Sequence, residues 1–442
     1  VNNANGIVGN IDLTNGGKIT TTAGGIINGN GADLTLGNGA EITADGLVNN
    51  INTGVAFAAN GGKLTANNGL TGNVELNHGG EVVVAGAALT GNITSAAGGN
   101  VGNASVTVNN ANGIVGNIDL TNGGKITTTA GGVTGNVIMG NGSHVIVEGN
   151  IGGNINGNGN SIITLGTGTT HGDVINGQNI KIAGDRTFAG ANFATANLIV
   201  DGQHTTKFTN AGADLNLTNV STTGNDKPDI HVAGNQTIRG NWGSADHPLG
   251  ALNVTTAGKT ITLDTNNFYA EITTQIADNT NVVFNRRDTE VRGIGINGNR
   301  VLSTRFDENG KVTEGVNSKT IYVAQDRVAT LGGEVQSENI QLANQGSTIR
   351  FLDGAEVHSK ISTGIADQGI VKFEGSGSMY GNIGVAGNRI SLAEFNGDVG
   401  KTVQVNGNIH ATNAKFGAGT FDIAQNVEFD TTQTQVNGST FN

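Results

Sequence analysis

The sequence predicts an all-β chain wound as a right-handed parallel β-helix, a solenoid with coils of about 19 residues. Three observations predict it. First, a Gly-Asn step followed by Ile or Val recurs at Gly9-Asn10, Gly72-Asn73, Gly91-Asn92, Gly116-Asn117, Gly135-Asn136 and Gly153-Asn154, and Gly172-Asp173 continues the series. From Gly72 onward the spacing holds near one value, with a single longer step between Gly91 and Gly116. Second, apolar and polar residues alternate over short stretches between these marks, the pattern of half-buried strands. Third, 73 glycines and 62 asparagines stand among 442 residues. Both are poor helix formers and supply the backbone angles of tight turns.

The elements follow in chain order. The opening stretch 1–25, VNNANGIVGNIDLTNGGKITTTAGG, recurs unchanged at 108–132. Ile11 and Leu13 alternate with polar neighbours, Asn15-Gly16-Gly17 turns the chain, and Ile19 follows. Leu34 and Leu36 precede the turn Gly37-Asn38-Gly39, with Ile42 after it. Val74 and Leu76 are followed by the turn Asn77-His78-Gly79-Gly80, then by Val82 and Val84. Each unit reads as short strand, glycine turn, short strand, glycine turn. So small a unit cannot bury its own apolar face, but stacked on copies of itself it forms a continuous core. Each strand then pairs with its equivalent one coil away. Stacking brings Asn73, Asn92, Asn117, Asn136 and Asn154 together in successive coils, where their amides can bond as a structural ladder. The alternative is that asparagine merely tolerates the turn.

Regular coils occupy 1–280, with strand signals such as Ile261 and Leu263 persisting after the pattern loosens near 186. The segment 281–334 is charged. It carries Arg286, Arg287, Arg292, Arg300, Arg305, Lys311, Lys319 and Arg327 with acids interleaved. Arg300–Phe306 and Lys311–Val316 flank Asp307-Glu308-Asn309-Gly310, which reads as a hairpin, either an excursion from the solenoid or part of a set of charged coils. Arg286, Arg287, Arg292, Arg300 and Arg305 form the candidate partner-contact set; the alternative is a solvated strand face with local salt bridges. Coils resume over 335–442, where Gly-Asn returns at Gly381-Asn382 and Gly407-Asn408.

Charge and composition exclude several classes. The formal net charge is −12 and the pI about 5.0, a poor match for nucleic acid, which needs a basic face. Without cysteine there is neither a disulfide framework nor a thiolate metal site. Collagen is excluded by the lack of a three-residue glycine period and by only 2 prolines. No apolar run approaches the roughly 20 residues of a membrane-spanning helix. The chain opens on Val1, and the expectation is that it begins inside a longer precursor.

Motifs for chemistry are few. Gly293-Ile294-Gly295-Ile296-Asn297-Gly298 matches a dinucleotide fingerprint, but strand-like residues follow where a helix is required. Gly29-Asn30-Gly31-Ala32-Asp33-Leu34 resembles half of a calcium-binding nonapeptide without the tandem repetition such sites need. The eight histidines (His78, His144, His171, His204, His231, His247, His358 and His410) show no paired metal-ligand spacing. Asp288, Glu290 and Arg292 alternate and share a strand face, the arrangement a β-helix polysaccharide lyase or hydrolase requires. No Gly-x-Ser-x-Gly elbow is present. The chain therefore reads as a non-enzyme, with no catalytic, metal or cofactor-binding residues and no cofactor.

The Gly-Asn-Ile/Val units, the Asn-Gly-Gly turns and the absence of cysteine resemble autotransporter passenger domains. Two passages bring the resemblance closer to the rickettsial surface cell antigens of the outer membrane protein A and B type. They are Gly243-Ser244-Ala245-Asp246-His247-Pro248-Leu249 leading into Ala251-Leu252-Asn253-Val254, and residues 381–421. The resemblance implies a passenger exposed on the bacterial cell surface and carried to the outer membrane by its own C-terminal barrel, which these residues do not include. It also implies an adhesin or invasin that binds a host-cell surface protein. An S-layer-like structural coat with lateral self-association is the first alternative, and a β-helix polysaccharide lyase or hydrolase the second.

Overall fold

The computed structural model describes residues 1–28, 34–50, 57–97, 101–212, 214–296 and 299–442. Among them there is no helix. The chain is a parallel β-solenoid of about 20 turns of roughly 21 residues. It divides into two compact units, Val1–Thr218 and Asn219–Asn442.

In the first unit a coil carries three short strands. Leu70–Thr71, Val74–Asn77 and Glu81–Ala85 pair in parallel with Leu89–Thr90, Ile93–Ser95 and Ser105–Asn109 of the next coil. Because side chains alternate across a strand, a one-residue slip would turn every buried group outward, so the apolar alternation sets the register. Val74, Ile93, Ile118, Val137, Ile155 and Val174 stack as one inward row, each at most 1% exposed. Val82, Val106, Ile126, Val145, Ile163 and Ile180 form a second buried row. The glycine of each Gly-Asn step answers to close stacking. A Cβ on Gly91 would lie 2.1 Å from the Gly72 carbonyl oxygen, and one on Gly116 would lie 2.1 Å from that of Gly91.

The second unit builds the same ladder from larger residues. Phe351, Phe373, Phe395 and Phe416 occupy one inward row and are 0–1% exposed. Their ring centroids lie 4.8, 5.4 and 5.2 Å apart, close to the strand spacing of about 4.8 Å that parallel pairing imposes. Trp242 and Phe268 hold the same row in earlier coils. Successive members of the phenylalanine row stand one coil apart, and the coil averages roughly 21 residues. The average is slightly longer than the coil of about 19 residues read from the Gly-Asn marks.

The expected hairpin at 300–316 is not formed. Val301–Phe306 pairs in parallel with Thr280–Phe284 on one side and with 318–323 on the other. Gly310, Lys311 and Val312 pair in parallel with Thr289, Glu290 and Val291 and with Ala329, Thr330 and Leu331. Asp307-Glu308-Asn309 is therefore a corner between two solenoid faces. Turn residues mark a reversal and a corner alike; what decides is that Phe306 and Val312 each find an inward row to join. The described residues of 281–334 stay inside the stack rather than leaving it.

Candidate functional site

Two sets of side chains were singled out by sequence. The first is the asparagine series. Asn73 Oδ1 accepts the backbone N–H of Asn92 at 2.9 Å, Asn92 that of Asn117 at 2.8 Å, Asn117 that of Asn136 at 2.8 Å, Asn136 that of Asn154 at 2.7 Å, and Asn154 that of Asp173 at 2.8 Å. The rungs are thus side chain to main chain, where amide to amide was expected; Asn117 Nδ2 to Asn92 Oδ1, at 3.3 Å, is the one direct amide pair in this series. None of the five adopts a positive φ, so tolerance of a left-handed turn does not explain them. Asp173 takes over as acceptor for the N–H groups of Ala191 and Asn192 and for the Asn192 amide, which together hold its carboxyl below the ordinary carboxylate range. A true amide ladder exists where sequence reasoning did not look: Asn241 Nδ2 donates to Asn219 Oδ1 at 3.1 Å and Asn267 Nδ2 to Asn241 Oδ1 at 2.9 Å. These three carry no Gly-Asn-Ile/Val mark, and only the register brings them together.

The second set is the arginines, and most of their charge is engaged between coils. Arg292 forms a fork with Glu314, both contacts 2.9 Å, and has Glu271 within 4.0 Å. Arg300 grips Asp278 through Nε at 2.7 Å and a terminal nitrogen at 2.8 Å and reaches Glu338 at 3.1 Å. That bonding lowers the Asp278 carboxyl and raises the Arg300 guanidinium relative to their usual values. Arg305 bonds Asp307 at 2.5 Å and lies over the Tyr322 ring at 4.7 Å. Lys311 meets Glu290 and Arg327 meets Glu308.

Arg286 and Arg287 differ. Arg286 Nε donates to Asn266 Oδ1 at 2.6 Å and stays 3.9 Å from Asp264. Arg287 is exposed, and among the described residues its guanidinium has no carboxylate within 4.0 Å. Arg239, which sequence reasoning missed because it lies outside the charged segment, shares Asp264 from the neighbouring coil at 3.6 Å. Arg239 and Arg286 thus share one aspartate, and Arg287 follows Arg286 in the chain.

Asp288 and Glu290 line a shallow groove with Asn309, Lys311, Thr330 and Arg350. Arg292 is held away from it by Glu314 and Glu271. Gly293 and Ile294 of the dinucleotide-like stretch end strand Thr289–Ile294 and the next strand is Val301–Phe306; Asn297 and Gly298 lie outside the described residues. Gly29-Asn30-Gly31-Ala32-Asp33, the calcium-like half-motif, also lies outside them. No group of three or more His, Asp or Glu suited to a metal ion occurs among the described residues.

Over 244 residues the chain is 28% identical to Outer membrane protein A of Rickettsia rickettsii. The alignment takes in 52% of this chain and 10% of that protein, so the matched stretch corresponds to about a tenth of its relative's length. No family model matches the chain, and no solved structure matches it.

Proposed function

We propose that this chain is part of the surface-exposed passenger of a bacterial autotransporter, located at the outer membrane and acting as an adhesin or invasin toward host cells. The observation that carries the reading is the likeness over half the chain to a protein named for the outer membrane. The fold is in keeping with it. Each coil needs only its neighbour to complete its hydrogen bonds and bury its apolar row, so the chain can fold progressively as it emerges on the far side of a membrane. A host-cell surface protein with an acidic face docks on Arg239, Arg286 and Arg287; the first two share one aspartate, and Arg287 has no carboxylate within 4.0 Å among the described residues.

Purified chain binds host cells saturably, and charge reversal at Arg239, Arg286 and Arg287 lowers the affinity while reversal at Arg292 and Arg300 chiefly lowers stability. Absence of saturable binding sinks the adhesin reading; binding that ignores the triple reversal retains it and removes the contact assignment. A polysaccharide-cleaving activity is the second reading, favoured by the Asp288, Glu290, Lys311 and Arg350 groove. Turnover of acidic polysaccharides that is abolished by Asp288→Asn or Glu290→Gln supports it, and inactivity across such a panel ends it.

A further inference from the structure

We propose that Asn158-Gly159 is a self-modifying site, at which the folded chain converts Asn158 to aspartate or isoaspartate faster than at its other Asn-Gly pairs. The observation is one hydrogen bond. The Gly159 backbone N–H donates to the Oδ1 of Asn158, its own neighbour, at 2.7 Å. That contact places the Gly159 nitrogen beside the side-chain carbonyl whose carbon it must attack. Removal of the N–H proton leaves a nucleophile already beside that carbonyl. Glycine at 159 presents no Cβ to obstruct the approach and sits at φ +59°. Both residues are exposed, so water and hydroxide reach them.

The reaction balances without any external reagent but water. The Gly159 nitrogen loses its proton and bonds to Asn158 Cγ, the Cγ–Nδ2 bond breaks, and ammonia leaves with a cyclic imide behind it. Water then opens the imide at either carbonyl. One opening gives aspartate; the other routes the main chain through the former side chain as isoaspartate, inserting a methylene.

The neighbouring described Asn-Gly pairs are held differently. Asn141 Oδ1 is engaged by the Asn160 N–H at 3.1 Å and Asn309 Oδ1 by the Val328 N–H at 3.0 Å. At Asn122-Gly123 the amide donates to the Ser95 carbonyl at 3.2 Å and the Gly123 N–H is bound to the Leu120 carbonyl at 2.9 Å. At Asn156-Gly157 the attacking nitrogen is tied to the Ile175 carbonyl at 3.1 Å. Among the described residues, Asn158 is the Asn-Gly asparagine whose oxygen turns back on its own following nitrogen. Conversion there places a carboxylate in a groove otherwise lined by Thr121, Ile138, Asn156, Asn176 and Gln178. An isoaspartyl link would also displace the rung from Asn160 to Asn141.

The test compares the intact chain, folded, with the same chain unfolded in urea, both held in mildly alkaline buffer. Site-resolved mass spectrometry follows replacement of each amide NH2 by OH at residues 122, 141, 158 and 309, and enzymatic methyl-labelling counts isoaspartate. Unfolded, the four sites convert at similar rates. Folded, Asn158 outpaces the other three at least several-fold, and Asn158→Gln removes most of the isoaspartate label. A folded rate at Asn158 no greater than at Asn122, Asn141 or Asn309 overturns the proposal, as does a label unchanged in the Gln variant.

Discussion

Removing one rung of the asparagine series tests whether the recurrent Asn is a bond or a passive turn residue. Asn136→Ala takes away the Oδ1 that accepts the Asn154 N–H at 2.7 Å. It spares the flanking main-chain bonds, Ile118 N–H to Asn136 O and Val137 N–H to Asn154 O, both 2.8 Å. A single neutral hydrogen bond is worth about 0.5–1.5 kcal/mol net. Residue 154 is exposed, so water takes up part of the loss and about 1 kcal/mol is the expected destabilisation. Asn136→Asp keeps an acceptor in place, as Asp173 does naturally for Ala191 and Asn192, and should cost far less. The assays are urea unfolding for the total and amide hydrogen exchange for the location. Exchange at Asn154 should quicken by about fivefold in the Ala variant, the ratio that corresponds to about 1 kcal/mol, with little change several coils away. Equal costs for Ala and Asp, or no local change at Asn154, would mean that Asn136 is a passive turn residue and not a rung.

Three further outcomes follow from the packing and the ion pairs. Phe373→Ala should cost about 3–5 kcal/mol, because the paired strands on either side cannot close over the cavity; Phe373→Leu should cost less, since it leaves a smaller cavity, both read from urea midpoints. Arg186, 1% exposed, donates to the Gly149 carbonyl at 2.7 Å and to Thr170 Oγ1 at 2.8 Å, and burial draws its guanidinium down to about 10. Arg186→Ala therefore opens a cavity and orphans buried acceptors, at about 3 kcal/mol, and Arg186→Lys should recover only part, since a point charge cannot reproduce the fork. The Arg389 contact holds the Asp430 carboxyl below its ordinary value, with His410 assisting. A carboxylate lowered on folding stabilises above its unfolded value and loses that contribution as pH falls through the folded one. Acid titration of stability should show this loss below the ordinary carboxylate range, and Arg389→Gln should diminish it.

Much of this was legible in the sequence, and the physical reason is local. Period-two alternation at Val74, Leu76, Val82 and Val84, with glycine turns between, admits half-buried strands and nothing else, and a unit too small to bury its own face must stack. The Gly-Asn mark located the rungs because both members do local work: glycine yields the space and asparagine supplies the acceptor. The fate of the arginines was less legible. Arg292 and Arg300 lie in the same charged stretch as Arg287, yet their partners Glu314, Asp278 and Glu338 stand 22 to 38 positions away in sequence. Arg239 meets Arg286 only through Asp264, which both contact from different coils.

By itself the sequence determined the repeat, the turns, the faces of each strand and the parallel stacking, since all of these follow from patterns shorter than a coil. Only the tertiary structure decided which residues meet across coils. The register turned a presumed hairpin at 307–309 into a corner, set four phenylalanines ring on ring, and paired Arg292 and Arg300 with carboxylates of neighbouring coils. The lateral neighbour in a solenoid is a whole coil away along the chain. Coils here vary in length, and a shift of one residue in any of them would change every such pair.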